Sequence, residues 1–379
     1  MIYLDYNAST PVDPAVREAM LPYLGDYYGN PSSPHLAAAQ LQRAIRLARE
    51  QVADLLGAHP DEIVFTSGGT ESNNHVIKGV AAARMGRGRH IITSSIEHPA
   101  VIQPCRFLEK QGFEVSYVKV DETGLVDPHA IAEKVRQTTI LISVMHANNE
   151  VGTIEPIGEI AEIARQGGVW MHTDAAQSIG KIAVRVDELG VDFLTVAGHK
   201  LYAPQGVGAL YVRKGIEIEP LMHGAGHEQG RRAGTEAVSS IVGLGAAAEM
   251  AKKKLGDGQI PALRDRLWNG LREELGDAIV LNGHPEKRLP NTLSVGFRGL
   301  MAVDLLVAMP DLCASAGAAC HGDVKEKSPV LAAMNVPDEV AFGTIRFSVG
   351  RGTTKEEIDE AIRTVVGAVC ALRKAAAGT

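Results

Sequence analysis

Two short stretches, His172-Thr173-Asp174-Ala175-Ala176-Gln177 and Ala197-Gly198-His199-Lys200, each carry chemistry at the end of an apolar run. Gly168-Val169-Trp170-Met171 leads into the first and Phe193-Leu194-Thr195-Val196 into the second. Such runs read as buried strands, and open α/β sheets bind ligands where those strands end. A lysine and a carboxylate delivered to one crevice suit pyridoxal phosphate (PLP). The amine forms a Schiff base with the aldehyde, and the acid keeps the pyridine nitrogen protonated so that the ring can absorb electrons. Singly, Lys200 reads as a surface lysine and Asp174 as a helix cap; the pair at two strand ends argues for catalysis.

Four further segments fit around that pair. Ser67-Gly68-Gly69-Thr70-Glu71-Ser72 lies between a strand and a helix pattern, where glycine backbone and a helix N-terminus can hold an anion and Thr70 can donate its hydroxyl. It matches neither the dinucleotide nor the P-loop fingerprint; a tight turn with a cap is its ordinary alternative. Glu97-His98-Pro99 offers an imidazole able to lie on a planar cofactor and exchange protons, against the commoner structural histidine. His146-Ala147-Asn148-Asn149-Glu150 reads as turn chemistry or as an amide fixing a ring hydroxyl. Thr344-Ile345-Arg346-Phe347-Ser348-Val349-Gly350-Arg351 alternates like a strand, and one inward guanidinium could take a substrate carboxylate bidentately.

The chain has four cysteines: Cys105, Cys313, Cys320 and Cys370. No pair has C-x-x-C spacing, so neither a metal site nor a disulfide scaffold is expected, and cysteines in such a chain are usually small buried hydrophobes. Cys320 differs. Small residues lead up to it and a polar stretch, His321 to Lys327, follows, as suits an exposed loop thiol whose thiolate is favoured by His321, Lys325 and Lys327. A buried packing cysteine describes Cys313 better.

The elements that position these residues follow from periodicity. Strands are expected at Glu62–Thr66, His90–Thr93, Glu114–Val118, Thr139–Met145, Val169–Thr173, Phe193–Val196 and Gly208–Val212. Amphipathic helices are expected at Asn74–Met85, Ala100–Gln111, Pro128–Val135 and Ile157–Arg165. This alternation predicts an α/β fold with a mostly parallel, doubly wound sheet. After residue 236 the rhythm changes to helices at Ile241–Lys254 and Ala262–Leu275, strands at Thr292–Val295 and Ile345–Val349, and a closing helix at Lys355–Arg373. That second part reads as a smaller α+β lobe, with Lys374–Thr379 a frayed tail. With 379 residues, 45% hydrophobic and 22% charged, the chain can bury a sizeable core in two lobes. A net charge of −7 without a basic run argues against nucleic acid or an anionic membrane as partner. With no signal-like start and no membrane-length apolar segment, a soluble cytoplasmic protein is expected.

In order and spacing, these segments resemble the cysteine desulfurase and selenocysteine lyase family, within the class V aminotransferase group of PLP enzymes. The likeness runs from Tyr3-Leu4-Asp5-Tyr6-Asn7-Ala8-Ser9-Thr10-Pro11 to the Arg346–Arg351 strand. It implies fold type I, with residues 14–255 as a large PLP-binding domain and residues 1–13 and 256–379 as a small domain carrying the Cys320 loop and Arg346. It also implies roles. Lys200 would bear the Schiff base, Asp174 face the pyridine nitrogen, Gln177 and Asn149 bond the ring hydroxyl region, and His98 stack on the ring. Gly69, Thr70 and His199 would hold the phosphate, with Thr235 contributed across a homodimer interface. Arg346 would bind the substrate carboxylate with Asn149 nearby. Lys200 or His98 would move the α-proton, and Cys320 would take sulfur or selenium from L-cysteine or L-selenocysteine to leave L-alanine. An acceptor protein for the chalcogen, and a place in iron–sulfur cluster assembly, follow from the same likeness. Two departures stand out. Ala197 occupies a place where many relatives have serine, removing one phosphate hydroxyl. The run Ala314 to His321 with Ser328-Pro329-Val330-Leu331 looks more like selenocysteine lyases than like cysteine desulfurases. A class V aminotransferase or another PLP lyase is the alternative enzyme; a non-catalytic sulfur carrier is the alternative outside enzymes, and the presence of Lys200 with Asp174 speaks against it.

Overall fold

The computed structural model describes residues 1–321 and 324–377, with side chains described outside 318–325 and as far as 376. Its strands, in chain order, are β1 (Ile2–Tyr3), β2 (Ile63–Thr66), β3 (His90–Ser94), β4 (Glu114–Val118), β5 (Thr139–Ser143), β6 (Trp170–Asp174), β7 (Phe193–Ala197) and β8 (Gly208–Val212). Then follow β9 (Ile279–Asn282), β10 (Thr292–Phe297), β11 (Leu312–Cys313), β12 (Ser315–Ala316), β13 (Ala318–His321), β14 (Val324–Lys327) and β15 (Thr344–Ser348). Strands β2 to β8 form one seven-stranded sheet in the order β2-β8-β7-β6-β5-β3-β4. Strands β3 to β7 run parallel, while β8 runs antiparallel to β7 and β2. The expected mostly parallel α/β sheet is the fold observed.

Side-chain alternation explains why these strands read as unbroken apolar runs. In β2, Ile63 and Phe65 join one core cluster and Val64 another; in β8, Ala209 and Tyr211 join the first and Leu210 and Val212 the second. Both faces are therefore covered, as parallel sheets require. Helices Leu36–Leu56, Ile157–Gln166 and Val238–Lys254 supply the first cluster; Gly69–Arg84 and Pro99–Glu109 supply the other. A third cluster, including Leu4, Leu267, Phe297, Phe347 and Val365, lies around the antiparallel sheet β12-β15-β10-β9. The chain's first residues belong with that third core: β1 pairs with β11. Cys320 lies in β13, its backbone opposite Lys325 of β14.

Several local expectations are corrected. The helix expected from Asn74 begins at Gly69, because Gly68 at φ 146° turns the chain directly from β2 into helix. The helix expected to reach Val135 ends at Ala132. The presumed frayed tail is helical through Ala377, since Ala375, Ala376 and Ala377 are the best helix formers. Helix Leu36–Leu56 was not anticipated. Its stripe of Leu41, Ile45, Ala48, Val52 and Leu56 includes small alanines, and Gly57 in the left-handed region stops it. Cys105 is buried as the ordinary cysteine reading expects, but Cys313 is half-buried and Cys370 exposed. Among the described residues no helix is long and apolar enough to cross a membrane.

The small residues in the Val238–Lys254 helix let it approach Leu36–Leu56 closely. A Cβ on Gly245 would sit 2.5 Å from Ala48 Cα. Replacing a helical glycine by alanine ordinarily stabilises by about 0.5–1 kcal/mol. For Gly245→Ala the overlap reverses that sign, with an expected loss of about 1–3 kcal/mol. Thermal unfolding of parent and variant measures it; a rise in melting temperature would refute the tight crossing.

Candidate active site

Parallel strands deliver their last residues to one edge of the sheet, and the site is built there. Strand β6 ends on Asp174, β7 ends two residues short of His199 and Lys200, and β2 runs through Ser67-Gly68 into a helix starting at Gly69. The loop after β3 brings His98, and the loop after β5 brings Asn149. These segments enclose a pocket of about 350 Å³, lined by Gly69, Thr70, His98, Asn149, Asp174, Gln177, His199, Lys200 and Arg346. It also receives Asn7 and Ala8 from the N-terminal segment, and Asn73 from the helix that begins at Gly69.

Each polar group in the pocket has an identifiable support. Asp174 is 6% exposed. Its Oδ1 accepts from Ala176 N at 2.9 Å and its Oδ2 from Asn73 Nδ2 at 2.7 Å, so both carboxylate oxygens are held in place. Burial pushes the Lys200 ammonium below its ordinary pKa; Asp174 partly restores it and Arg346 lowers it further. No hydrogen bond engages Lys200 Nζ among the described residues. A neutral, unengaged amine is what imine formation needs. His98 caps helix Pro99–Glu109, with Nδ1 accepting from Ala100 N at 3.1 Å. That bond places the proton of the neutral ring on Nε2. Burial, then Lys200, lowers the His98 pKa, with Asp174 opposing.

Arg346 lies 8% exposed on β15. Its Nη2 donates to Asp5 Oδ1 at 2.7 Å and Ser315 Oγ at 2.8 Å, and its Nη1 to the Asn149 carbonyl at 3.0 Å. One Nη1 hydrogen and the Nε hydrogen stay unpaired, so the fork is braced with donors in reserve. His199 Nδ1 lies 3.3 Å from Ser9 Oγ, while its carbonyl accepts from Thr10 N and Thr10 Oγ1 at 2.8 and 3.0 Å. Ala197 lines the pocket against Gly69, whose added Cβ would lie 3.4 Å from the Ala197 methyl.

The donor set suits the cofactor inferred from sequence. The first N–H groups of helix Gly69–Arg84 have no preceding carbonyl to bond, and a Cβ on Gly68 would meet no atom within 4 Å, leaving open space for an anion beside them. Asn73 Oδ1 is buried without a partner. An electrophilic ring with a phosphate matches a free amine, a buried carboxylate and an anion cradle in one cavity.

One expected residue stands apart from this pocket. Thr235 is exposed and does not line it. The Cys320 side chain lies outside the described residues. Three residues that the sequence reading gave no role hold the site together. Asn73 braces Asp174; Asn in the first turns of a helix, four residues after Gly69, was the available signal. Asn7 Nδ2 donates to the Asn149 carbonyl and to Thr292 Oγ1. Lys181 Nζ donates to Asn7 Oδ1 and Gln177 Oε1, both at 2.8 Å. No spacing rule announces those two.

Comparison with known proteins agrees with this geometry. Residues 2–361 match the Aminotransferase class-V family model. The chain is 49% identical to "Cysteine desulfurase IscS" of Dictyoglomus turgidum, covering 94% of this chain and 92% of the relative. It is 47% identical to the protein of that name from Methanosarcina thermophila, covering 98% and 93%. Among solved structures, a "NIFS-like protein" superposes with a TM-score of 0.91 at 38% identity, covering 97% of this chain and 98% of that one. "SspA in complex with cysteine" gives 0.83 at 38%, covering 92% and 99%. A lysine–aspartate pocket at the carboxyl edge of a fold type I sheet, matched over nearly the whole chain, places this protein in the class-V aminotransferase family of PLP-dependent enzymes, among the cysteine desulfurases.

Proposed function

We propose that the chain removes sulfur from L-cysteine to give L-alanine, with Cys320 as the receiving thiol, and that L-selenocysteine is a second substrate. The observation that carries this reading is the convergence of Lys200 and Asp174 on one pocket beside the open helix N-terminus at Gly69. PLP, when bound, supplies an electrophilic carbon and an electron-withdrawing ring.

The chain's own groups do the rest. Lys200 would anchor the cofactor covalently, Asp174 would face its ring nitrogen, and His98 would lie on its face. Gly69, Thr70 and His199 would hold the phosphate, and Gln177 and Asn149 the ring oxygen. Arg346, braced by Asp5 and Ser315, would orient the substrate carboxylate. The displaced Lys200 amine, or His98 Nε2, would move the α-proton. The Cys320 thiolate would form an S–S bond with the substrate sulfur as the Cβ–S bond breaks. Its electron pair stays on the carbon side, where protonation gives alanine, and the sulfur remains on Cys320 for an acceptor protein. Lys325, opposite Cys320 on the hairpin backbone, would supply positive charge that favours the thiolate. The likeness of Ala314–His321 and Ser328–Leu331 to selenocysteine lyases supports selenocysteine, whose selenol sheds its proton more readily than a thiol.

Residues 14–255 would form the PLP domain, with residues 1–13 and 256–379 as the small domain. Thr235, exposed on its own chain, would serve the cofactor phosphate of a second copy in a homodimer. Supply of sulfur for iron–sulfur clusters, in the cytoplasm, completes the reading.

Borohydride reduction followed by peptide mapping is expected to place the cofactor adduct on Lys200; an adduct elsewhere, or none, would overturn the assignment. Cys320→Ser is expected to lose sulfur release from L-cysteine by about 100-fold or more. Full turnover in that variant would favour an aminotransferase or another PLP lyase. Because the His98 pKa is lowered from 6.5, its base form persists into mild acid. The acid limb that His98 contributes to kcat/KM should therefore fall below pH 6.5 and vanish in His98→Gln. A limb unchanged in the variant would remove His98 from proton transfer.

A further inference from the structure

Lys181 is half-buried behind the pocket and does not line it. Its hydrogen-bond partners fix the orientation of two side-chain amides. Asn7 Nδ2 donates to the Asn149 carbonyl at 3.2 Å, and a carbonyl only accepts, so Asn7 Oδ1 must be the atom facing Lys181. Gln177 Nε2 likewise donates to the Asn7 carbonyl at 3.0 Å, so Gln177 Oε1 must face Lys181. The lysine thus donates two hydrogen bonds, and both amide oxygens are turned towards a group that does not line the pocket. What Gln177 retains is its second Nε2 hydrogen. A pocket-facing amide oxygen would repel an anionic oxygen; a pocket-facing N–H stabilises one.

We propose that Lys181 is a positioning residue: by holding Gln177 Oε1, it makes Gln177 present a hydrogen-bond donor to the ionised ring oxygen of the cofactor. The inference rests on the PLP reading above and deepens it. The same lysine reaches the substrate side, because Asn7, which it also grips, donates to the carbonyl that braces Arg346. Burial, with Lys200 and Arg346 nearby, holds the Lys181 ammonium well below its ordinary pKa, so its charge is not a fixed feature of the network. Its donors are.

The test reads the bound cofactor's absorbance at one fixed pH. The ionised ring oxygen gives the long-wavelength band and the neutral one the short-wavelength band. Lys181→Met keeps the length and removes the donors, so Gln177 is free to turn. The short-wavelength share is expected to rise several-fold over the parent protein. Lys181→Arg restores the donors, and a cavity of about 720 Å³ lined in part by Lys181 gives the larger head room; its band ratio should return towards the parent's. A Lys181→Met protein that holds the cofactor and keeps the parent's ratio would overturn the inference while leaving the PLP reading intact. Absence of any cofactor band in the parent protein would instead overturn the PLP reading. If Lys181→Met fails to fold or load, Lys181→Arg decides: a parent-like ratio supports the role, and a raised short-wavelength share despite normal loading removes it.

Discussion

Charge burial is the constraint on which this pocket depends. Arg346 is buried and Lys200 and Lys181 are half-buried close to it, with Asp174 and Asp5 as the carboxylates hydrogen-bonded beside them. A cation buried without compensation costs several kcal/mol. Here the compensation comes from neutral oxygens as much as from acids: two amide oxygens for Lys181, a backbone carbonyl and a hydroxyl for Arg346. Lys200 alone is left without a hydrogen bond among the described residues, and it is the group whose reactivity needs freedom. Burial moves its pKa downward, which favours the neutral form that acts as nucleophile.

The sheet makes this arrangement attainable. Because β3 to β7 are parallel, their carboxyl ends open on one edge, and residues far apart in sequence meet without long excursions. The antiparallel β8 reverses β2 back into the common direction, so that the Gly68 turn joins the same edge. A Cβ on Gly208 would meet Gly68 Cα at 2.7 Å, so the tight fit of β8 against that turn depends on glycine.

Much of this was legible in the sequence for a physical reason. Strands buried on both faces carry near-continuous apolar residues, and Gly208–Val212 was anticipated to the residue; Glu114–Val118, part-exposed at the sheet's edge, was anticipated by its alternation instead. The pocket residues stood out because they interrupt such runs with acids, amides and lysine. Helix starts were harder: Gly69 and Thr70 have weak helix propensity, yet they open a helix because a cradle needs their backbone. The hydrogen-bond network was illegible. Asn7 meets Ser348, Thr292, Asn149 and Lys181 through tertiary contacts with no periodic trace in sequence.

The seventh residue therefore ties the large sheet's edge to β15, its N–H donating to Ser348 Oγ at 2.9 Å. On a ribosome, the central sheet can assemble from residues up to 212 while that contact still awaits its partner. The pocket becomes whole only after β15 has been made, so cofactor loading waits for that strand rather than for the central sheet alone.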